Sequence, residues 1–241
     1  MTAARFSESD LDATVLDDPF TTALRGPQSR FARSLGNIVT FDPDVSVFYG
    51  HPREMSTQDY VDLAELTGVG GTASLRDRRT PLPDGIFDVV AELALVQYRG
   101  DAVVPAADPE LVRLGWADVP EMTALVELTE PGPFLPRTIE MGVYLGYRDP
   151  DSGHLLSMAG QRLQVPGWTE ISAVCTHPVA RGRGLARRLV SAVAQGIVDE
   201  GRAPFLHTTA DNSARNLYEK MGFILNSEVP LEILRVKRKT R

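Results

Sequence analysis

The chain has 241 residues, 43% of them apolar and 24% charged, and a formal net charge of −7. This is the balance of a soluble globular protein with one large or two smaller cores, and its acidity argues against broad nucleic-acid contact. No run of about 18 apolar residues suggests a membrane span, and the single cysteine, Cys175, excludes an internal disulfide and fits a reducing cytosol.

The first residues, MTAARFSESDLDATVLDDP, are acidic and lack the apolar stretch of a secretory signal, so a cytoplasmic protein is expected. From there to about residue 105, short apolar runs alternate with turn-rich connectors, Gly68–Gly71 and Pro81–Gly85 among them. Val39–Tyr49 reads as strand material broken at Asp42-Pro43, and Val89–Tyr98 as an apolar segment that could be helix or buried strand. Gly100–Pro109 carries two prolines and three alanines, and reads as a linker. A boundary near it divides the chain into an accessory region, 1–105, and a second domain, 106–241.

The second region has clearer periodicity. Leu111–Leu114 suits a short strand. Asp118 and Glu121 have capping-box spacing, with Pro120 tolerated in the first turn, and Met122, Leu125, Val126 and Leu128 continue the helix. A proline-rich loop over 130–136 follows. Met141–Tyr147 and Leu155–Leu163 predict a hairpin turning at Asp149–Gly153. Thr169–Thr176 is a strand. Leu185, Leu189, Val193 and Ile197 then form one helical stripe that ends before Gly201. Phe205–Thr209 is a strand, a short helix begins near Asn212 and stops at Gly222, and Leu231–Val236 is a last strand. The closing basic cluster, Lys237, Arg238, Lys239 and Arg241, reads as a solvated tail. No repeat of 20–50 residues occurs.

The segment 181–186 joins a strand to a helix through glycine and arginine. A helix start offers unpaired N–H groups and partial positive charge, so this order of elements suits an anionic phosphate. It is not a Walker loop, because Gly184 is followed by Leu185 and Ala186 rather than by lysine and a hydroxyl residue. Nor is it a dinucleotide fingerprint, since Arg187 stands where a third small residue belongs and the later acids, Asp199 and Glu200, lie at a helix end. Gly182, Gly184 and Ala186 let a diphosphate approach the main chain, including the N–H groups of Leu185, Ala186 and Arg187. Arg181, Arg183 and Arg187 supply charge for its oxygens. Arg188 reads as part of a solvated helix face.

EISAVCTHPVARGRGLA over 170–186 and FLHTTADNSARNLYEKMGF over 205–223 resemble, in order and separation, the acyl-CoA-binding core of the GNAT N-acetyltransferase superfamily. More narrowly, they look like the C-terminal half of glycine N-acyltransferase-like GNAT proteins. The resemblance spans 111–236. It implies an α/β fold with a mixed central sheet flanked by helices, with 1–105 as a degenerate copy of the same fold, giving two tandem GNAT-like halves.

The resemblance further implies acetyl-CoA as acyl donor and a primary amine of a small molecule or amino acid as acceptor, attacking the thioester directly. Its pantothenate arm would lie along Val174, Cys175 and Thr176, with an amide near Val174 polarising the acyl carbonyl. Tyr218 would protonate the leaving thiolate, Glu170 would take a proton from the amine through water, and Asn212 would bond the pantetheine arm. Phe134 and Arg137 fall where the acceptor pocket is shaped.

Each residue has a blander reading. Tyr218 also fits a core stripe with Ala214, Leu217 and Met221, Asn212 a helix cap, and Glu170 a solvated strand end. His207 could act as a base, contact substrate or sit satisfied in the core, Cys175 could be a nucleophile or simple packing, and His177 a loop residue. Glu140, Tyr144 and Trp168 are weaker candidates. The four histidines are scattered, so no metal is expected. Peptide amines and polyamines remain open as acceptors, as does a non-catalytic acyl-CoA-binding module. The N-terminal region either completes the acceptor pocket or mediates homodimerisation.

Overall fold

A computed structural model describes residues 11–238. Its helices are α1 (Pro19–Leu24), α2 (Thr57–Thr67), α3 (Val119–Thr129), α4 (Leu185–Asp199) and α5 (Arg215–Lys220). Its strands are β1 (Ala32–Leu35), β2 (Ile38–Phe41), β3 (Tyr49–Gly50), β4 (Thr72–Arg76), β5 (Phe87–Arg99) and β6 (Val112–Leu114). The remainder are β7 (Tyr144–Arg148), β8 (Leu155–Val165), β9 (Trp168–Thr176), β10 (Ala203–Thr209) and β11 (Ile224–Val236). Eight strands form one sheet in the order β4-β11-β5-β10-β9-β8-β7-β6. Only β9 and β10 run parallel; the other neighbours are antiparallel. Strands β1 to β3 make a small antiparallel sheet, joined to the large one by a parallel bridge from Phe48 to Ser74.

Strand parity decides what covers each face, because successive side chains point to opposite sides. Ala159 and Leu206 pack with Leu189, Val193 and Ile197 of α4. All four residues of the expected stripe, Leu185 included, are buried, each worth about 1.5–3 kcal/mol by transfer. The adjacent Met158 packs on the opposite face, under Met122, Leu125 and Val126 of α3. Phe205, next to Leu206, meets Leu16, Phe20 and Phe48 of the N-terminal layer. One face is therefore covered by α4 and α5, and the other by α3 and the N-terminal layer.

The expected hairpin is present between β7 and β8. Asp149 accepts from the N–H groups of Asp151 and Ser152, and Gly153 takes φ +75°, which a glycine adopts without strain. The segment that was ambiguous over 89–98 is strand β5. The capping box differs from expectation: Asp118 Oδ2 accepts from the N–H of Gly115 at 2.7 Å, while Glu121 accepts from Leu155 N and from Arg148. Glu121 is thus drawn away from the helix end by the neighbouring hairpin. Of the basic tail, Lys237 pairs with Asp88 at 3.1 Å and Arg238 is exposed, whereas Lys239 and Arg241 lie outside the described residues.

The boundary expected near residue 105 falls in the connector between β5 and β6, yet strands from both sides of it share one sheet. Strand β5 lies between β11 and β10, and among the described residues β11 pairs only with β5 and β4. Residues 11–105 build no second large sheet of this kind among the described residues. They contribute the small sheet, α1, α2 and two strands of the large one. Long-range strand pairing leaves no local mark in sequence, which is why the linker-like composition was misleading.

Candidate active site

Strands β9 and β10 stay in register from Trp168↔Ala203 to Ile171↔Leu206 and then part. At the parting point Ala173 has φ +52°, and the β8–β9 register slips between Met158 and Gly160, the signature of a bulge that re-aims a strand. Beyond it, main-chain groups of Ser172–Thr176 on the β10 side have no strand partner, while β10 continues along β5 through Thr209. A cavity of about 540 Å³ opens there, lined by Ser172–Thr176 and by His207–Thr209. Because Leu206 and His207 face opposite sides, the gap joins the α5 side of the sheet, carrying Tyr218, to the N-terminal side, carrying His207.

The strand β9 runs on into the glycine-arginine loop. Gly182 and Gly184 have φ +77° and +75°, and a Cβ on either would meet nothing within 4 Å. The left-handed conformation, not crowding, calls for glycine at both positions, and the space outside them stays open. Gly184 caps α4 without any side-chain bond, and the first bond into the helix runs from Arg188 N to Gly184 O at 3.2 Å. The N–H groups of Leu185, Ala186 and Arg187 are the free donors of that first turn; the side chain of Leu185 is buried, so only its amide can serve. Arg181 and Ala186 line the cavity. Arg183 lies over the Tyr147 ring at 5.5 Å, and Arg187 reaches Lys220 O at 3.4 Å. Arg188 is not free on a solvated face: it is forked onto Asp108 at 2.6 and 2.9 Å and also meets Glu110. A bare helix start, open glycines and an unpaired strand edge together fit the diphosphate and the amide-bearing arm of coenzyme A.

On the α5 side, Tyr218 lines the cavity and sits against the rings of Tyr98 and Phe223. Burial alone pushes its phenol up to about 12. Asn212 also lines the cavity, and its Oδ1 accepts from Ala214 N at 2.9 Å, holding the turn into α5. Cys175 lines the wall but is buried, and that burial pushes its thiol up to about 11. A thiol in that state is a packing group, not a nucleophile. His177 accepts from Val179 N and shapes the loop.

Glu170 is not at a solvated strand end. Its side chain is 0% exposed and receives Arg162 Nε at 2.7 Å, Arg162 Nη2 at 2.6 Å and the Leu163 N–H at 3.3 Å. His207 Nδ1 lies 2.6 Å from the same carboxylate. Desolvation opposes ionisation, but the Arg162 charge and these bonds outweigh it and hold the carboxyl at about 2. Desolvation likewise lowers His207. Gln97 Nε2 meets His207 Nε2 at 3.0 Å while donating to Leu16 O, and Gln97 Oε1 accepts from Asn226. The bonding pattern thus assigns a neutral imidazole with its proton on Nδ1.

The expected acceptor residues divide. His207 lines the cavity, but Phe134 and Arg137 do not. Phe134 packs edge-on against Tyr144 at 5.6 Å. Arg137 is held by Glu140 at 2.6 Å and by Asp42 at 2.8 Å, so it fastens a loop to the N-terminal layer. Tyr144 and Trp168 are core residues. The wall instead includes Val47, Phe48, Ser74, Leu93 and Arg162, none of them anticipated. Most come from the first hundred residues, so the N-terminal region completes the cavity. Nothing local marks Arg162, which stands between Gln161 and Leu163 in β8. Among the described residues no group of His, Cys, Asp and Glu could hold a metal, and no helix is long and apolar enough to cross a membrane.

A family model described as FR47-like protein matches residues 144–230. A solved structure from Novosphingobium aromaticivorans DSM 12444, assigned to the GNAT acetyltransferase family, is 36% identical, covers 92% of this chain and 99% of its own, and has a TM-score of 0.83. A GCN5-related N-acetyltransferase from Kribbella flavida is 16% identical over 95% and 96% of the two chains, with a TM-score of 0.60. A GNAT-family acetyltransferase from Colwellia psychrerythraea is 12% identical over 95% and 97%, with a TM-score of 0.52; these last two share the fold alone. No curated protein matches the chain.

Proposed function

The chain belongs to the GNAT acetyltransferase family, and on that premise we propose that it is an N-acetyltransferase acting on the primary amine of a small molecule or amino acid. The observation that carries this reading is the continuity of the cavity between β9 and β10 with the glycine-arginine loop before α4. Acetyl-CoA, when bound, supplies a thioester acyl group and a thiol leaving group.

The main-chain donors after Gly184, with Arg181, hold phosphate, and the open edge of Ser172–Thr176 aligns the donor arm. An amide of that edge near Val174 faces the negative charge that develops on the acyl oxygen. The amine nitrogen bonds to the acyl carbon as the carbon–sulfur bond breaks; nitrogen gives up one proton and sulfur gains one. Tyr218 stays protonated throughout the working range. A phenol held near 12 is a poor outright acid toward a thiolate whose own acid titrates near ~8.5. Its role is to donate a hydrogen bond to the departing sulfur while solvent completes the transfer.

Glu170 does not serve as the base in this mechanism. A carboxylate held at about 2 and locked to Arg162 has little affinity for a proton, and it does not line the cavity. His207 has both nitrogens engaged. The acceptor therefore enters as the neutral amine. The largely apolar wall favours that form, since desolvation disfavours an ammonium. The proton released on attack passes to cavity water. Glu170 is a positioning residue for Arg162 and His207.

A thiol-release screen with acetyl-CoA against amino acids, polyamines and peptides tests the reading. Release with small amines supports it. Binding of coenzyme A without release from any amine would reduce the protein to an acyl-CoA-binding module.

A further inference from the structure

Arg162 is 8% exposed and lines the cavity on the acceptor side. Two of its nitrogens, Nε and Nη2, are spent on Glu170. The third, Nη1, has no hydrogen-bond partner among the described residues, and it is not among the polar atoms that burial seals off. A guanidinium presents a rigid fork of donors. Here one edge is committed and the other is offered to the cavity, braced by the Phe48 ring 4.6 Å beneath the cation.

The charges of the wall point the same way. Its ionised side chains are Arg162 and Arg181 against one carboxylate, Glu130, and Glu130 is exposed at the end of α3. Arg181 lies beside the helix start that suits the donor's phosphates, which leaves Arg162 for the acceptor. Around it the wall is apolar, with Phe48, Leu93, Leu95, Leu231 and Ile233. Glu170 behind it already balances the Arg162 charge, so the pull on an anion comes from the unmade bonds of Nη1, and the apolar wall leaves a further charged group on the acceptor unsatisfied.

We infer that the free Nη1 edge of Arg162 docks the carboxylate of the acceptor, so that the substrate is an amino acid, or another amino-carboxylate, with an apolar side chain. This rests on the acyl-transfer reading above and names the acceptor class for that site. Arg162 stands on β8, facing the β9 segment just before the bulge. A carboxylate held there leaves the adjoining amine directed toward the parting of β9 and β10.

The test is calorimetry on the full chain saturated with coenzyme A, titrated with N-acetylleucine and with N-acetylleucinamide, which differ only in the charge of one group. The acid is expected to bind at least about ten-fold more tightly, as a charge-assisted bond to a buried donor should give. Arg162→Lys keeps a cation for Glu170 but loses the fork, and should bring the two ligands to near-equal affinity with thermal unfolding still cooperative. Equal affinities in the unaltered chain overturn the proposal, and that comparison needs no variant to fold. Thiol release at equal efficiency from leucine and leucinamide overturns it too, leaving acyl transfer intact. Acid-selective binding with no thiol release from any amine supports the Arg162 site and removes the reaction instead.

Discussion

Arg162 grips Glu170 through two parallel bonds, Nε to Oε2 at 2.7 Å and Nη2 to Oε1 at 2.6 Å, inside the layer between the large sheet and the N-terminal segment. The pair braces the cavity wall on the N-terminal side. It fixes the guanidinium edge that remains free, and through the second contact of Glu170 it holds the proton of His207 on Nδ1.

Removing one partner of such a pair leaves a buried charge uncompensated. Glu170→Gln should cost about 3–5 kcal/mol and lower Tm on the order of 10 °C, measured by calorimetric unfolding. An unchanged Tm with reduced turnover would restore Glu170 as a solvated base.

The same carboxylate sets an acid dependence. Its folded value, about 2, lies below the usual 4.5, so between those limits the unfolded chain takes up a proton that the folded chain refuses. Stability from this group is complete above pH 4.5 and is lost as pH falls toward 2. Urea midpoints measured down this range should decline, and less steeply in Glu170→Gln.

Tyr218→Phe should lower turnover at least ten-fold while leaving coenzyme A affinity nearly intact. The hydroxyl makes no hydrogen bond to a described residue, so its loss should barely alter Tm. Steady-state kinetics beside calorimetric titration separates the two effects; an unaltered kcat removes the tyrosine from the chemistry.

Gly184→Ala forces a Cβ onto a left-handed residue, a strain of about 1–2 kcal/mol, and fills the space that phosphate needs. Coenzyme A affinity should weaken about ten-fold or more, with the melting profile changed only modestly. Undiminished affinity would move the phosphate site elsewhere.

With the amine entering neutral and its proton passing to water, kcat/KM should rise with pH and level off near the pKa of the acceptor amine. Changing to an acceptor of lower amine pKa should shift the limb downward by a similar amount. A limb that stays fixed between acceptors would reveal an enzymic base.

Residues 106–241 alone should not fold. They lack β5 and β4, the two strands that flank β11, and expose the core that Val96 and Tyr98 share with α4 and α5. Circular dichroism of the fragment should show no cooperative melting; a sharp transition would re-establish the boundary at 105.

What could be read from sequence was what neighbours along the chain decide. The α4 stripe repeats every four residues, the β7–β8 turn is spelled by Asp149 and Gly153, and the loop of Gly182 and Gly184 lies between a strand and a helix whose signals are local. Tyr218 and Asn212, carried by one contiguous motif, both line the cavity. Other expected residues do not. Phe134 and Arg137 were named from their position after a helix, but an ion pair to Asp42 and an edge contact with Tyr144 take them out of the cavity.

The local chain therefore determined the glycine-arginine loop, the helices and the α/β class, since hydrophobic period and turn chemistry act over a few residues. Only the tertiary structure decided that β5 enters between β10 and β11, and that Phe48 and Ser74 close the cavity. It alone changed Glu170 from an accessible acid into the anchor of Arg162 and His207. Those outcomes depend on burial and on partners more than a hundred residues away, and a charged side chain behaves as base or anchor according to what surrounds it.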